Sequence, residues 1–209
     1  MKKLCLAAIL LLSVFNLPAQ TVITTPGTII SVPGEYILGN DLNGPTGGVS
    51  LRIAASNVSL DLAGHTISGG LTGLVVNNRD SALIQVVNVS VHNGTISNAT
   101  NNDCVDIFCS NGDFSKLTIK PAPKAVGVEI DSKVFKVKGN VVHVCSIVGP
   151  TSGSAATAVR LLRVSQNQVV DCTLDGNFDA TFEEFDDGDG VLVTGGNTFS
   201  GNTFLHPRL

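Results

Sequence analysis

Three ionisable side chains occupy equivalent places in successive copies of a short sequence pattern. Asp106, Glu129 and Arg160 each stand between two apolar residues. Two carboxylates beside a guanidinium have two catalytic uses. They can flank a glycosidic bond during hydrolysis, which requires carboxyl groups about 5 to 9 Å apart. They can also hold Ca²⁺ in a lyase, where Arg160, or Arg52 from an earlier copy, would stabilise the enolate formed by removal of a proton.

The same three residues also fit a structural role. On adjacent strands Glu129 and Arg160 would form an exposed cross-strand ion pair, which contributes at most about 1 kcal/mol to stability. Side chains on adjacent strands lie close together, so they fit only the closer carboxyl spacing used in hydrolysis. From the sequence, catalysis and a structural ion pair stay open as alternatives.

A second candidate site is the acidic stretch 175–189. Counting from Asp175, oxygen-bearing side chains stand at positions 1, 3, 5, 7, 9 and 12, which is the ligand spacing of an EF-hand calcium loop. Ala180 replaces the glycine of the sharp turn, Asp186 replaces the bidentate glutamate, and no flanking helices are evident. The alternative is a solvated acidic loop. The candidate metal ligands are Asp175, Asn177, Asp179, Thr181, Glu183 and Asp186.

A repeat predicts the elements that position these residues. Six times an apolar residue is followed, four positions later, by Ser or Thr and then by a large apolar residue. Such a period indicates a stacked repeat. The Ser or Thr column is best explained as β-branched preference on an exposed strand. The last apolar residues of the six copies are Ile67, Ile96, Ile119, Ile147, Leu174 and Phe204.

A second pattern shows that each repeat holds at least two short strands. Apolar and variable residues alternate, which is the period of a strand with one buried face. Coils stacked about 4.8 Å apart would place Asp106, Glu129 and Arg160 on consecutive rungs of one face. We therefore predict an all-β parallel solenoid of about six coils, with Asn140, Asn167 and Asn197 stacked at a tight corner. The alternating segments are residues 50–53, 73–76, 104–107, 127–130, 158–161 and 190–193.

The opening coil resembles a known family. Residues 57–69, preceded by residues 33–38, are similar to the first coil of bacterial right-handed parallel β-helix repeat proteins, which have the pectin-lyase-like fold. The repeat columns extend this resemblance over about residues 21–204. It implies a single-stranded right-handed parallel β-helix. In carbohydrate-active members the substrate groove commonly lies along such a strand face, which makes Asp106, Glu129 and Arg160 the catalytic candidates. The fold also hosts adhesins and many enzyme classes, so it does not fix an activity.

The chain divides into a leader, a cap and a repeat domain. Residues 1–20 have the charged, apolar and small-residue order of a secretory signal peptide, and their apolar run is too short to span a bilayer. Residues 21–47 are predicted to be an N-terminal cap, and residues 48–209 the β-helix, with a minimal or missing C-terminal cap. Lys2 and Lys3 are the only charged residues of the leader, so its removal leaves 11 Lys and Arg against 17 Asp and Glu. This acidic balance argues against nucleic-acid and anionic-membrane partners.

Two classes of function follow. The preferred one is a secreted or surface β-helix that acts as a non-catalytic scaffold, adhesin or carbohydrate-binding module. The alternative is a polysaccharide lyase or glycoside hydrolase acting on an acidic polysaccharide. The chain has no Trp and one Tyr, so aromatic platforms for sugars are nearly missing. The expected partners are a polysaccharide or a cell-surface glycan, and the open ends of the solenoid suggest end-to-end self-association.

Overall fold

The computed structural model describes residues 19–77, 85–97, 102–132, 137–151, 154–176, 178–185 and 197–205. All regular secondary structure in these ranges is β-strand, and it forms a parallel solenoid of about 5 turns. In chain order the strands are β1 (Thr21–Ile23), β2 (Thr28–Ile30), β3 (Gly34–Leu38), β4 (Leu42–Gly44), β5 (Val49–Ile53), β6 (Val58–Asp61), β7 (Thr66–Gly69), β8 (Thr72–Val76), β9 (Val86–Val87), β10 (Val89–Ser97), β11 (Val105–Ile107), β12 (Cys109–Ser110), β13 (Asp113–Lys120), β14 (Val126–Asp131), β15 (Val141–His143), β16 (Ser146–Val148), β17 (Ala156–Leu162), β18 (Gln168–Val170), β19 (Thr173–Asp175), β20 (Phe178–Phe185), β21 (Thr198–Ser200) and β22 (Thr203–Leu205).

The strands pair in parallel with the equivalent strands of the next coil. A seven-stranded sheet has the order β2-β5-β8-β11-β14-β17-β20. A thirteen-stranded sheet contains the other two strand positions of each coil, which are joined because β10 pairs with β6 in its first half and with β7 in its second. The predicted all-β parallel solenoid is therefore confirmed, while the handedness and the count of six coils stay predictions.

The register confirms the repeat pattern almost everywhere. Thr95 pairs with Thr66 on one side and with Thr118 on the other, and the row continues through Ser146 and Thr173. The first coil differs, because Leu60 rather than Leu62 lies opposite Val91. The turn between β6 and β7 contains more residues than the corresponding bend in β10. The number of residues between the two strand positions therefore differs in this coil, while its strands still pair in register with those of β10.

The core is the interior of the solenoid and consists of stacked aliphatic residues. Ile96, Ile119 and Ile147 follow one another on adjacent rungs and are at most 1% exposed. Burial of each such side chain contributes about 1.5–3 kcal/mol. Residues 21–47, the predicted cap, carry β1 to β4; β1 pairs with β3, while β2, β3 and β4 pair with β5, β6 and β7. Within the described residues, β1 and β2 have no strand partner on their outer side.

An asparagine ladder, formed by the buried Asn140 and Asn167 and the half-buried Asn197, supports one corner. The Asn140 side-chain amide donates to Asn167 Oδ1 at 3.0 Å, and the Asn167 amide donates to Asn197 Oδ1 at 3.1 Å. The same oxygens accept from the backbone N–H groups of Asn140 and Asn167, at 3.0 and 2.9 Å. The predicted corner stack is thus confirmed, with each side chain satisfying the backbone of the previous coil.

The left-handed backbone conformation at this corner belongs to the preceding position. Asn57, Asn88 and Asn111 have φ of 56°, 58° and 55°, and Gly139 and Gln166 continue the column with 71° and 56°. Glycine tolerates this region because it has no Cβ, and asparagine does so because its short polar side chain can hydrogen-bond locally. The corner therefore combines a left-handed residue, which turns the chain, with a ladder position, which ties the coils together.

The end of the seven-stranded sheet departs from the prediction. The alternating pattern predicts its last strand at residues 190–193, but the structure pairs β20 with β17, and residues 190–193 lie outside the described ranges. Consequently Glu183, rather than Leu192, is opposite Arg160. β20 begins three residues after β19 ends, so the chain passes from the thirteen-stranded sheet to the seven-stranded sheet through a short connection.

The signal peptide falls on residues 1–18, which the structure does not describe, and on Ala19 and Gln20, so it stays a prediction. The described part of the chain contains no helix with the length and apolar character needed to cross a bilayer.

We expect Asn140→Ala to lower the free energy of unfolding by about 2–4 kcal/mol, since it strands buried polar groups. Asn140 also donates to the Cys109 carbonyl and accepts from Gly112 N–H, both at 2.8 Å. Urea denaturation followed by circular dichroism measures the loss. Asn43→Ala, at an exposed position of β4, is the matched control and should cost less than about 0.5 kcal/mol. Equal losses in the two variants would show that the ladder contributes nothing specific.

Candidate functional site

The candidate site lies on the outer face of the seven-stranded sheet. Asp106, Glu129 and Arg160 pair in register, as predicted, on the consecutive strands β11, β14 and β17. Two earlier rungs of the same row carry Arg52 and Val75. These side chains share one face because alternate residues of a strand point to the same side. The structure therefore brings the three catalytic candidates together, and their catalytic role stays a prediction.

Glu129 is buried and already bound by an arginine. Its side chain is 4% exposed, and its Oε2 lies 3.4 Å from Arg160 Nη1, whose side chain is 31% exposed. The pair is therefore less exposed than the sequence indicates. Val75 and Phe108, which alternate with core positions, are also buried, at 5% and 8%. This part of the outer face is thus covered, and the Glu129 carboxylate has little contact with solvent.

Three carboxylates cluster at this place. Oxygen atoms of Asp103, Asp106 and Glu129 all lie within 4.8 Å of one another. Oxygens that share one Ca²⁺ at 2.3–2.6 Å lie within about 5 Å of each other, so the spacing suits a calcium ion. It is shorter than the about 6.5–9.5 Å of an inverting hydrolase pair. Arg160 already offsets part of the negative charge, and the predicted Ca²⁺ at these carboxylates stays a prediction.

Asp103 is a site residue that the sequence pattern does not reveal. It precedes β11 in a connecting segment, where no strand period assigns a face, and only the fold brings it beside Glu129.

A second ion pair is also new. Asp131 is fully buried, and its Oδ1 accepts from Arg163 Nη2 at 2.5 Å and from Ser132 N–H at 2.6 Å. Arg163 Nε also donates to the Ser132 carbonyl at 2.7 Å. In the sequence, Arg163 follows Asp131 at almost the same distance as Arg160 follows Glu129. This spacing is the sequence signal that could have revealed the second ion pair.

Four of the six predicted ligands of the EF-hand-like loop lie on two strands. Asp175 ends β19, and Asp179, Thr181 and Glu183 belong to β20, which pairs with β17. Asn177 and Asp186 lie outside the described residues. The described backbone in this stretch is therefore extended strand. The calcium prediction for this stretch stays a prediction.

The four cysteines of the described chain are buried, and none of them forms a disulfide within the described residues. Burial raises the pKa of the Cys109 thiol to about 12, so it stays protonated at neutral pH. Cys145 and Cys172 occupy neighbouring rungs, and the contact with Cys172, together with burial, raises the pKa of Cys145 above its usual range. A protonated, buried thiol such as Cys109 is a poor nucleophile and a poor metal ligand, whereas the contact with Cys145 lowers the pKa of Cys172. The candidate site itself is built from carboxylates and arginine.

We expect Arg160→Ala to reduce the free energy of unfolding by about 1–3 kcal/mol at neutral pH, because it leaves the buried Glu129 carboxylate without its cation. Thermal and urea denaturation measure this loss. The double variant Glu129→Gln with Arg160→Ala is the control, since a neutral amide needs no cation and should recover more than half of the loss. An Arg160→Ala protein as stable as the parent would contradict the structural role of the pair.

The candidate site is thus an acidic cluster of Asp103, Asp106 and Glu129 bounded by Arg160. It can bind a cation or hold a buried ion-pair network, and its geometry does not offer Glu129 as a free nucleophile. Searches of protein-family models, curated proteins and solved structures find no match to this chain.

Proposed function

We propose that this chain is an exported surface or matrix protein whose parallel β-solenoid serves as a non-catalytic scaffold, adhesin or carbohydrate-binding module. The observation that carries the proposal is the burial of Glu129 and its ion pair with Arg160. A catalytic acid or nucleophile has to reach its substrate. A carboxylate held by an intramolecular arginine instead stabilises the stack of coils.

Export is the second part of the proposal and rests on the sequence. Residues 1–20 follow the order of a cleavable secretory leader. The resemblance of residues 57–69 supports membership of the right-handed, pectin-lyase-like β-helix proteins, in which extracellular glycans are common ligands. Nothing in a reduced, buried set of thiols conflicts with export, because buried cysteines behave as small apolar side chains.

A glycan is the proposed ligand because the surface repeats hydroxyl groups at a constant spacing. Thr95, Thr118, Ser146 and Thr173 form a half-buried row, one residue per rung. Rungs in a parallel solenoid are about 4.8 Å apart. Such a row gives an extended polysaccharide a regular series of donors and acceptors without any aromatic platform. End-to-end self-association remains part of the proposal, since β1 exposes Val22 (58%) and is the end strand of its sheet within the described residues.

The alternative is a polysaccharide lyase or glycoside hydrolase acting on an acidic polysaccharide. The observation that favours it is the cluster of Asp103, Asp106 and Glu129 oxygens within 4.8 Å, adjacent to Arg160. A lyase would use the carboxylates for Ca²⁺ and the arginine for the enolate. The close spacing would suit a retaining hydrolase better than an inverting one.

The test is incubation of the purified chain with a panel of acidic and neutral polysaccharides, with Ca²⁺ and with a chelator. We expect retention on at least one immobilised polysaccharide, with neither unsaturated products nor new reducing ends. The variant Thr118→Val with Thr173→Val keeps the β-branched shape and removes two hydroxyls, so it should weaken retention at unchanged stability. Asn43→Ala serves as the exposed control.

Two outcomes would replace the proposal with its alternative. Unsaturated products that disappear on chelation, and in Asp106→Asn, would establish a calcium lyase. New reducing ends without unsaturation would establish a hydrolase. If the folded protein neither binds nor cleaves any polysaccharide, the proposed glycan ligand is wrong and the scaffold role is the part of the proposal that stands.

A further inference from the structure

A cleft of about 440 Å³ lies at the first coils of the seven-stranded sheet. It is lined by residues of β2, β5 and β8, by the turn at residues 45–48 and by Asn102, which directly precedes Asp103 of the acidic cluster. The size falls within the range of small-molecule sites, about 300–1,000 Å³. Its apolar lining includes Ile29 and Leu71, which are 56% and 42% exposed. Large aliphatic side chains in an open cleft are a surface that a ligand can cover.

Hydrogen bonds hold the walls in place. Gly48 N–H donates to the Pro45 carbonyl at 3.0 Å, and Leu71 N–H donates to the Gly48 carbonyl at 2.7 Å. On the opposite side the Asn102 amide donates to Thr72 Oγ1 at 2.7 Å. The cleft is therefore largely preformed, which reduces the entropy lost when a ligand binds.

Arg52 is the charged residue among those that line the cleft. Its Nε is buried, and no group in the described ranges accepts a hydrogen bond from it. Arg160 and Arg163, on later coils, each bind a buried carboxylate. On the row of Arg52 the adjacent rungs carry Ile29 and Val75. The first carboxylate of that row belongs to Asp106, which is two rungs from Arg52, or roughly 10 Å.

We propose that this cleft binds a small organic anion, in which one carboxylate is held by Arg52 and an apolar body lies against Ile29 and Leu71. The two Nη groups at the end of the guanidinium present N–H donors side by side, which match the two oxygens of a carboxylate. A bound carboxylate would also place a negative charge beside the guanidinium and so offset the desolvation of its buried Nε donor.

The chemistry of the lining selects this class of ligand. A single arginine in an acidic chain offers one positive charge, which suits a monoanion better than a dianionic phosphate. A sugar acid would place several hydroxyls against aliphatic walls, where they lose hydration without gaining partners. The inference is independent of the glycan proposal, because it concerns other residues and a different ligand.

The test is calorimetric titration of the purified chain with 3-phenylpropionate and with its amide. We expect saturable binding of the acid and at least about tenfold weaker binding of the amide, since a charge-assisted bidentate contact is lost. A comparison of acetyl-Gly-Leu, which has a free carboxylate, with its amide tests whether the bound carboxylate can be that of a peptide C-terminus. Galacturonate should bind more weakly than 3-phenylpropionate.

Matched variants assign the contact to Arg52. We expect Arg52→Gln to weaken binding of 3-phenylpropionate by about ten- to a hundredfold. Lys120→Gln, at an exposed position of β13, removes the same charge and should leave binding unchanged. Leu71→Ser should weaken binding of the acid as well, through loss of apolar contact.

Several results would overturn the inference. These are no saturable binding of either acid, equal affinity for acid and amide, and parental affinity in folded Arg52→Gln. Tighter binding of galacturonate than of 3-phenylpropionate would contradict the inference that the ligand has an apolar body. The comparison of acid with amide uses the parent protein, so it holds even if a variant fails to fold.

Discussion

Parallel, in-register stacking of coils is the constraint on which the rest of the structure depends. Each residue lies beside its equivalent on the next coil, because the backbone N–H and C=O groups of neighbouring coils pair with each other. Every column of side chains must therefore tolerate contact with itself. Aliphatic columns such as Ile96, Ile119 and Ile147 do so by packing. A polar column is stable in the interior only when its members bond from coil to coil, as Asn140 does with Asn167.

The same constraint explains the charged row on the outer face. Asp106 and Glu129 lie on adjacent rungs, where like charges are destabilising. Arg160 on the next rung offsets this repulsion, and Arg163 does the same for the buried Asp131. Two arginines of the sheet are thereby committed to holding coils together. On the row of Arg52 the adjacent rungs carry Ile29 and Val75, and Arg52 lines a cleft instead.

A rigid stack suits a protein that presents a surface rather than one that moves during a reaction. The Thr and Ser row and the Arg52 cleft are both held by strands whose neighbours are fixed on two sides. Such positions are preorganised, so binding there costs little ordering. The proposed glycan row and the proposed anion cleft therefore use one property of the fold at two separate places.

The periodic features could be predicted from the sequence by itself: the all-β solenoid, the Thr row, the asparagine corner and the consecutive rungs of Asp106, Glu129 and Arg160. They follow from strand alternation and repeat length, which are local and recur along the chain. Only the tertiary structure decided that Glu129 is buried, that Asp103 joins it, that Asp131 pairs with Arg163, and that β20 follows β17 in the sheet. These depend on turns of unequal length, because a connecting segment has no period and its contacts join residues distant in sequence.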